Sequence, residues 1–217
     1  MTVEELPLYF VVIPALGYAA SLTWLRISMR KIAERQLGFL REPGVNSRFL
    51  VMAQLFLFPV LLGLVIFIQL LGVPEGPRQD SVVRSLGFTW GVAAILTALS
   101  EASVFVRWRA SAFHENFAPV LVLAVLPETV ILFVFAVAFM TIGPLKGTLT
   151  QTRADNLISA TRWMLVGSLS APVTAFLANR PRVLDKKSFG RVVAGAATGV
   201  SLVVVCLVLA SLEIAKA

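Results

Sequence analysis

Residues 117–137 read FAPVLVLAVLPETVILFVFAV, and a single acidic residue, Glu128, lies among some twenty apolar ones. An α-helix needs about 20 mostly apolar residues to cross a bilayer. A helix that begins after Asn116 would place Glu128 about 18 Å along its axis, which is close to the middle of the hydrocarbon layer. The stretch therefore predicts a transmembrane helix with a carboxyl group near its midpoint.

The whole chain has the composition of a membrane protein. Of its 217 residues, 58% are hydrophobic and 14% are charged, and the mean hydropathy of +0.85 lies outside the range of soluble globular domains. Six stretches are long and apolar enough to span a bilayer: 8–25, 49–73, 86–106, 117–142, 157–178 and 190–214. We therefore expect an all-α membrane protein with six transmembrane helices.

The basic residues predict the topology. The net charge is +7, but the lysines and arginines lie between the predicted spans, which favours a topology signal over nucleic-acid binding. Segments 26–48, 107–116 and 179–191 hold 13 of the 19 basic residues. By the positive-inside rule these connections are cytoplasmic, and both termini lie on the outer or lumenal side. The chain would then form three tandem helical hairpins, with the divisions 1–77, 78–148 and 149–217.

The second helices of the three hairpins share a repeat frame. A phenylalanine begins each frame and a proline or glycine follows ten residues later: Phe49 with Pro59, Phe117 with Pro127, and Phe189 with Gly199. The next position is a carboxylate in one repeat and a valine in the other two: Glu128, Val60 and Val200. The frame predicts that the second hairpin carries an ion site that the first and third lack.

The first helices of the hairpins are richer in small residues, among them Gly17, Gly91 and Gly167. Small residues let helices approach closely where lipid supplies no hydrophobic drive. The second helices are bulkier. This contrast suits an inner row of helices with an outer, lipid-facing row, although ordinary bundle packing would give the same composition.

Glu101 and Glu128 are the two acidic residues well inside predicted spans. An ionisable group at such a depth is costly and is by default a functional hypothesis. A turn at His114–Glu115, midway between the two positions, would place both carboxyls at one depth, where they could share a proton. If the helix instead ends near Arg107, Glu101 lies closer to the interface and either pairs with Arg107 or Arg109 or contacts water.

Two other kinds of site are not expected. Cys206 and His114 are the sole cysteine and histidine, so the sequence offers neither a disulfide framework nor a metal cluster. It also has no GxxxxGK[ST] phosphate loop. We therefore do not expect the chain to be an enzyme by itself.

The stretch LVLAVLPETVILFVF at 121–135 resembles the ion-carrying outer helix of the rotor-ring proteolipids of V-type and archaeal A-type ATPases, the c or K subunits. The matching residues of this hairpin are Phe117, Pro127, Glu128 and Thr129. Phe189, Gly190 and Arg191 match the start of the same helix in the third hairpin. LSEASVFVRWRASA at 99–112 also resembles the family's inner helix, with Glu101 where Na⁺-carrying members tend to have a glutamine ligand.

The resemblance implies a three-hairpin proteolipid that assembles into a homo-oligomeric ring in the lipid bilayer. Glu128 would be reversibly protonated, with Glu101 and Thr129 as further members of the ion site. The implied partners are a stator subunit with an essential arginine and central-stalk subunits on the cytoplasmic loops. No cofactor is implied beyond the transported H⁺ or Na⁺.

The sequence favours H⁺ over Na⁺ as the transported ion. Na⁺-binding members place Thr and Gln just after the carboxylate position of a neighbouring outer helix, and the residues found at these positions are Leu61 and Leu62, or Ser201 and Leu202. A Na⁺ ion would therefore find few oxygens beyond those of Glu128, Thr129 and Glu101.

Two alternatives stay open beside the rotor. One is a free-standing six-helix proton-coupled transporter or channel that uses Glu101 and Glu128 as a relay. The other is a mainly structural ring subunit.

Overall fold

The fold is described by a computed structural model for residues 6–33, 45–113, 117–181 and 188–217. These residues form seven α-helices, preceded by a π-helical turn at Leu8–Val12. The helices are α1 (Ile13–Ala33), α2 (Val45–Leu70), α3 (Pro77–Phe113), α4 (Phe117–Leu145), α5 (Gln151–Ser168), α6 (Ser170–Asn179) and α7 (Phe189–Ala215). No β-strand occurs in the ranges described.

Within the described residues, five helical segments are long and apolar enough to cross a membrane: Leu8–Arg30, Arg48–Leu70, Pro77–Trp108, Phe117–Leu145 and Phe189–Ala215. Each contains one of the predicted spans or most of it. The prediction of an all-α protein with membrane-spanning helices is confirmed to this extent. The side of the membrane on which each connection lies stays a prediction.

The predicted fifth span, 157–178, differs from the structure because it is not one helix. α5 and α6 meet at Leu169. Pro172 accounts for the break, since proline has no N–H to donate to the carbonyl of Ser168 and its ring clashes with that carbonyl. The Leu169 N–H bonds instead to the Val166 carbonyl at 3.1 Å, a tighter turn than that of an α-helix.

α3 is the central helix. It contacts α1, α4, α5 and α6, and it is the most buried of the five candidate spans. Its buried face carries small residues, namely Ala93, Ala94, Ala98 and Ala102. α1 approaches so closely that a Cβ added to Gly17 would lie 3.2 Å from the Ile95 Cα. Small residues of the first helices therefore permit close packing, as expected where lipid provides no hydrophobic drive between helices.

Two separate hydrophobic clusters fill the interior, one toward each end of the helices. On α3 the first cluster ends at Ala94 and the second begins at Ala102. On α4 the second cluster ends at Ala124 and the first resumes at Val130. The level between the clusters thus lies near the middle of both helices.

Gly199 of α7 lies close against the backbone of α6. A Cβ at this position would lie 2.7 Å from the Thr174 Cα and 2.8 Å from the Thr174 backbone nitrogen. These are backbone atoms, so a methyl group cannot be accommodated by rotating a side chain. The close contact between α6 and α7 therefore depends on glycine here.

We expect Gly199→Ala to lower the free energy of unfolding by about 1–3 kcal/mol, because overpacking forces the two helices apart. Gly195→Ala is the matched control on the same helix, since a Cβ there would meet nothing within 4 Å. Ala is the better helix former, so this control should be neutral or slightly stabilising. Thermal unfolding of both variants in detergent tests the prediction. Equal midpoints for the two variants would contradict it.

Candidate functional site

Five buried polar side chains without a hydrogen-bond partner lie at or near the level between the two clusters. They are Ser21 on α1, Thr97 and Glu101 on α3, and Ser170 and Thr174 on α6. We call these residues the polar layer. A buried polar group left unpaired costs about 1–3 kcal/mol. Such groups in a folded protein call for an explanation by function or by a bound species.

Glu101 is the costliest member of the polar layer. Its side chain is fully buried, and neither carboxyl oxygen has a hydrogen-bond partner. The alternative pairing with Arg107 does not occur, because the Arg107 guanidinium donates to the carbonyls of Asn179 and Pro181, each at 3.3 Å. The side chain of Arg109 lies outside the described part of the chain. Glu101 is therefore enclosed by the protein, and its depth in the membrane stays a prediction.

Glu128 lies at the edge of the exposed face of α4. Its side chain is half-buried. Leu132, one turn later, is 44% exposed, whereas Ala124, one turn earlier, is fully buried. The Thr129 hydroxyl donates to the Leu126 carbonyl of its own helix at 2.6 Å. The carboxyl of Glu128 thus lies where the interior of the bundle meets its outer surface.

The two glutamates are near enough for their charges to interact. They lie on α3 and α4, which pack against each other. The two carboxyls that the sequence singled out therefore lie on neighbouring helices, and a site shared between them stays a prediction. Like charges repel strongly in an apolar layer, so a proton or another cation shared between the two groups would stabilise them.

The two motif residues of α4 outside this pair take structural positions. Phe117 begins the helix, and the guanidinium of Arg48 from α2 lies 5.8 Å from the centre of its ring. Pro127 is buried. Both residues help to place α4, and neither supplies an ion ligand.

Hydrogen bonds at two levels set the register of α3 beside α5 and α6. The Ser85 and Thr161 hydroxyl oxygens lie 2.6 Å apart, and the Asn179 side-chain amide donates to the Ser103 hydroxyl at 3.2 Å. Both pairs are 76 residues apart in sequence. α3 and the α5–α6 pair therefore run in the same direction.

The first helices also share a second repeat, one that the sequence reasoning missed, in which Thr97 and Thr174 take the same position. The first helices contain GYAASLTWL at 17–25, GVAAILTAL at 91–99 and SLSAPVTAF at 168–176. Each segment has a threonine at its seventh position. The corresponding Thr23 is exposed on α1 and donates to the Ala19 carbonyl at 2.8 Å.

The three second helices bury the same positions of their own repeat frame. The buried positions fall three, seven, ten and fourteen residues after the starting phenylalanine: Met52, Phe56, Pro59 and Gly63; Val120, Ala124, Pro127 and Ile131; Val192, Ala196, Gly199 and Val203. The residue that follows the proline or glycine is half-buried in all three helices. Val60 and Val200 therefore have the same degree of exposure as Glu128.

The described residues contain no group of three or more His, Cys, Asp or Glu side chains that could hold a metal ion. Cys206 is buried on α7. His114 lies outside the described residues.

Comparison of the chain with protein-family models, with characterised proteins and with solved structures finds no match. The function is therefore argued from the chemistry of the site. A carboxyl pair among unpaired hydroxyl oxygens, at mid-height in membrane-spanning helices, can bind a proton or a small monovalent cation. Its half-buried member can exchange that ion with the outside of the bundle.

Proposed function

We propose that the chain is a rotor-ring proteolipid of a V/A-type rotary ATPase and translocates protons by reversible protonation of Glu128. The observation that carries this proposal is the position of the Glu128 carboxyl at the edge of the exposed face of a candidate span, with Glu101 within electrostatic reach. A group in this position can exchange its proton with a neighbouring subunit. A carboxyl enclosed within the bundle could not.

The contacts between helices support an arrangement in two rows. α1 contacts α3, and α3 contacts α5 and α6; α2 contacts α4, and α4 contacts α7. Across the rows, α1 contacts α2, α3 contacts α4, and α7 contacts both α5 and α6. Three tandem hairpins with their second helices in one row would produce these contacts. Repetition of that unit around an axis would form a closed ring.

In the proposed cycle, Glu128 takes up a proton from one half-channel of a stator subunit. Its neutral form then faces lipid, because a neutral acid is far less costly there than a carboxylate. The proton is released at a second half-channel, where an arginine of the stator stabilises the ionised form. H⁺ is proposed over Na⁺ because Leu61 and Leu62, or Ser201 and Leu202, stand where Na⁺-binding proteolipids have Thr and Gln.

Val60 and Val200 suggest how such a ring would be used. Because valine cannot carry an ion, each chain of three hairpins would carry one ion where three positions are available. A ring of given circumference would move fewer ions in each turn. The energy of ATP hydrolysed in each turn is then divided among fewer ions, which favours pumping against a steep gradient over ATP synthesis.

The oligomeric state tests this proposal directly. We expect the protein extracted in mild detergent to be a closed ring, with a mass that is a large and uniform multiple of 23.5 kDa. Native mass spectrometry would count the copies, and electron microscopy of the same sample would show whether the particle is a ring. A monomer or dimer as the largest native species would exclude the rotor.

A second candidate is a free-standing proton-coupled transporter, which the polar layer favours. Its unpaired oxygens come from α1, α3 and α6 of a single chain, so one copy could contain a relay through Glu101. Of the other polar residues in the spans, Thr89 donates to the Thr161 carbonyl at 3.2 Å, and Ser201 is exposed. A monomer that moves protons in vesicles without an ATPase would establish this function in place of the rotor.

A further inference from the structure

An open groove of about 450 Å³ lies at the end of the bundle where α3 and α5 begin. Its polar wall is formed by Ser81, Arg84 and Ser85 of α3 and by Arg162 of α5. Its apolar wall is formed by Tyr9, Phe88 and Ile158. The groove is far from the carboxyl pair along α3, because Arg84 precedes Glu101 by seventeen residues, or about 25 Å of helix.

Hydrogen bonds hold the base of the groove in place. The Ser85 hydroxyl lies 2.6 Å from that of Thr161, and the Thr89 hydroxyl donates to the Thr161 carbonyl at 3.2 Å. These bonds join α3 to α5 directly beneath the two arginines, which neighbour Ser85 and Thr161 in the sequence. The separation of the two arginine-bearing helices is therefore set by the fold.

Tyr9 reaches the groove because α3 has a glycine beside it. A Cβ on Gly87 would lie 2.9 Å from the Tyr9 Cβ and 3.2 Å from its Cγ. The π-helical turn that carries Tyr9 can thus lie close against α3. Irregular turns of this kind are frequent at functional sites.

The groove is strongly basic. Arg84 and Arg162 are exposed, and neither forms an ion pair within the described part of the chain. Among the described residues that line the groove, none is acidic. The nearest carboxylates on the same helices are Asp80, one turn before Arg84, and Asp155, which accepts a hydrogen bond from Gln151 at 3.1 Å.

We propose that this groove binds the phosphate group of an anionic membrane lipid. Guanidinium groups bind phosphate oxygens through paired, charge-assisted hydrogen bonds. The apolar surroundings of the groove indicate that the bound phosphate belongs to a lipid. Phe88 is 53% exposed within the candidate span Pro77–Trp108, so an acyl chain could lie beside the site. The proposal is independent of proton translocation by Glu128.

Native mass spectrometry of the detergent-solubilised protein titrated with phosphatidylglycerol tests this inference. We expect the wild-type protein to retain phosphatidylglycerol tightly. The Arg84→Gln/Arg162→Gln double variant should bind this lipid at least about tenfold more weakly than the wild type does. Arg153→Gln removes an exposed arginine of α5 that does not line the groove, and it should bind like the wild type. The thermal midpoint of each variant shows whether the fold is retained.

Two further titrations need no variant. Phosphatidylcholine has a phosphate but no net charge, so the wild-type protein should retain it more weakly than phosphatidylglycerol. Millimolar inorganic phosphate should not displace the bound lipid. Equal binding of the two lipids, equal binding by wild type and double variant, or displacement by inorganic phosphate would each overturn the assignment; the last result would make free phosphate the ligand.

Discussion

Replacement of Glu128 by glutamine is expected to reduce ATP-driven proton transport by the assembled complex about 100-fold or more, with the fold intact. Glutamine has nearly the same shape as glutamate but cannot take up and release a proton at neutral pH. Loss of a proton-transferring group typically costs a factor of this size. The position tolerates an uncharged side chain, because valine occupies the equivalent half-buried positions of α2 and α7. Acidification of reconstituted vesicles on addition of ATP measures the effect.

Glu213→Gln is the matched control for this variant. Glu213 lies at the end of α7 and pairs with Lys216 at 3.1 Å on the surface, where such pairs contribute little. This control should retain full transport. Dicyclohexylcarbodiimide should modify wild-type Glu128 once in each chain and should leave the glutamine variant unmodified at that position. Unchanged transport by Glu128→Gln would show that this residue does not carry the ion. Protection of Glu128 by Na⁺ against modification by dicyclohexylcarbodiimide would show that the transported ion is Na⁺ and not H⁺.

The membrane-spanning helices could be predicted from the sequence where the apolar runs are long and uninterrupted. The predicted span 117–142 corresponds to helix Phe117–Leu145, and 190–214 corresponds to Phe189–Ala215. In such a run no polar stretch offers another place for the helix to end. The helix with the predicted span 86–106 extends much further, from Pro77 to Phe113, because hydropathy reports the part of a helix that matches lipid and not the helix itself.

The break between α5 and α6 has a local signal that hydropathy ignores. Pro172 lies inside the apolar stretch 157–178, but its missing N–H decides the backbone four residues earlier. Proline inside a helix does not always cause a break, since α2 and α4 continue through Pro59 and Pro127. Gly167 lies just before the break between α5 and α6, and glycine weakens the end of α5 there.

The carboxyls of the candidate site could be found by their rarity, whereas the hydroxyls of the polar layer could not. Thr129, Thr141 and Ser168 all donate to a carbonyl three or four residues earlier in their own helix. Thr97 and Thr174 do not. The difference depends on rotamers and neighbouring helices, so a list of serines and threonines cannot reveal which oxygens stay unpaired. Their shared position in the first-helix repeat does not reveal it either, because Thr23 has the same position on α1 and donates to the Ala19 carbonyl.

The second large effect concerns Glu101, whose replacement by methionine is expected to stabilise the protein. Both oxygens of this fully buried carboxyl lack a hydrogen-bond partner, and the charge of Glu128 is within reach. Methionine has a similar length, no orphan polar atom and a flexible shape that fits irregular cores. Removal of one unsatisfied buried group should raise the free energy of unfolding by about 1–3 kcal/mol, which corresponds to about 2–4 °C in Tm for each kcal/mol.

Two companion variants separate this effect from a general benefit of apolar substitution. Glu101→Gln keeps polar atoms at the buried position, so it should bring little or no stabilisation. Glu75→Met is made in an exposed connection and should change stability by less than about 0.5 kcal/mol. Thermal unfolding of the three variants and the wild type in one detergent compares them. If Glu101→Met unfolds at a lower temperature than the wild type, the carboxyl is satisfied by a bound ion or water, and its burial does not destabilise the fold. If it unfolds at a higher temperature and transport is lost, the chain retains a destabilising carboxyl because ion translocation requires it.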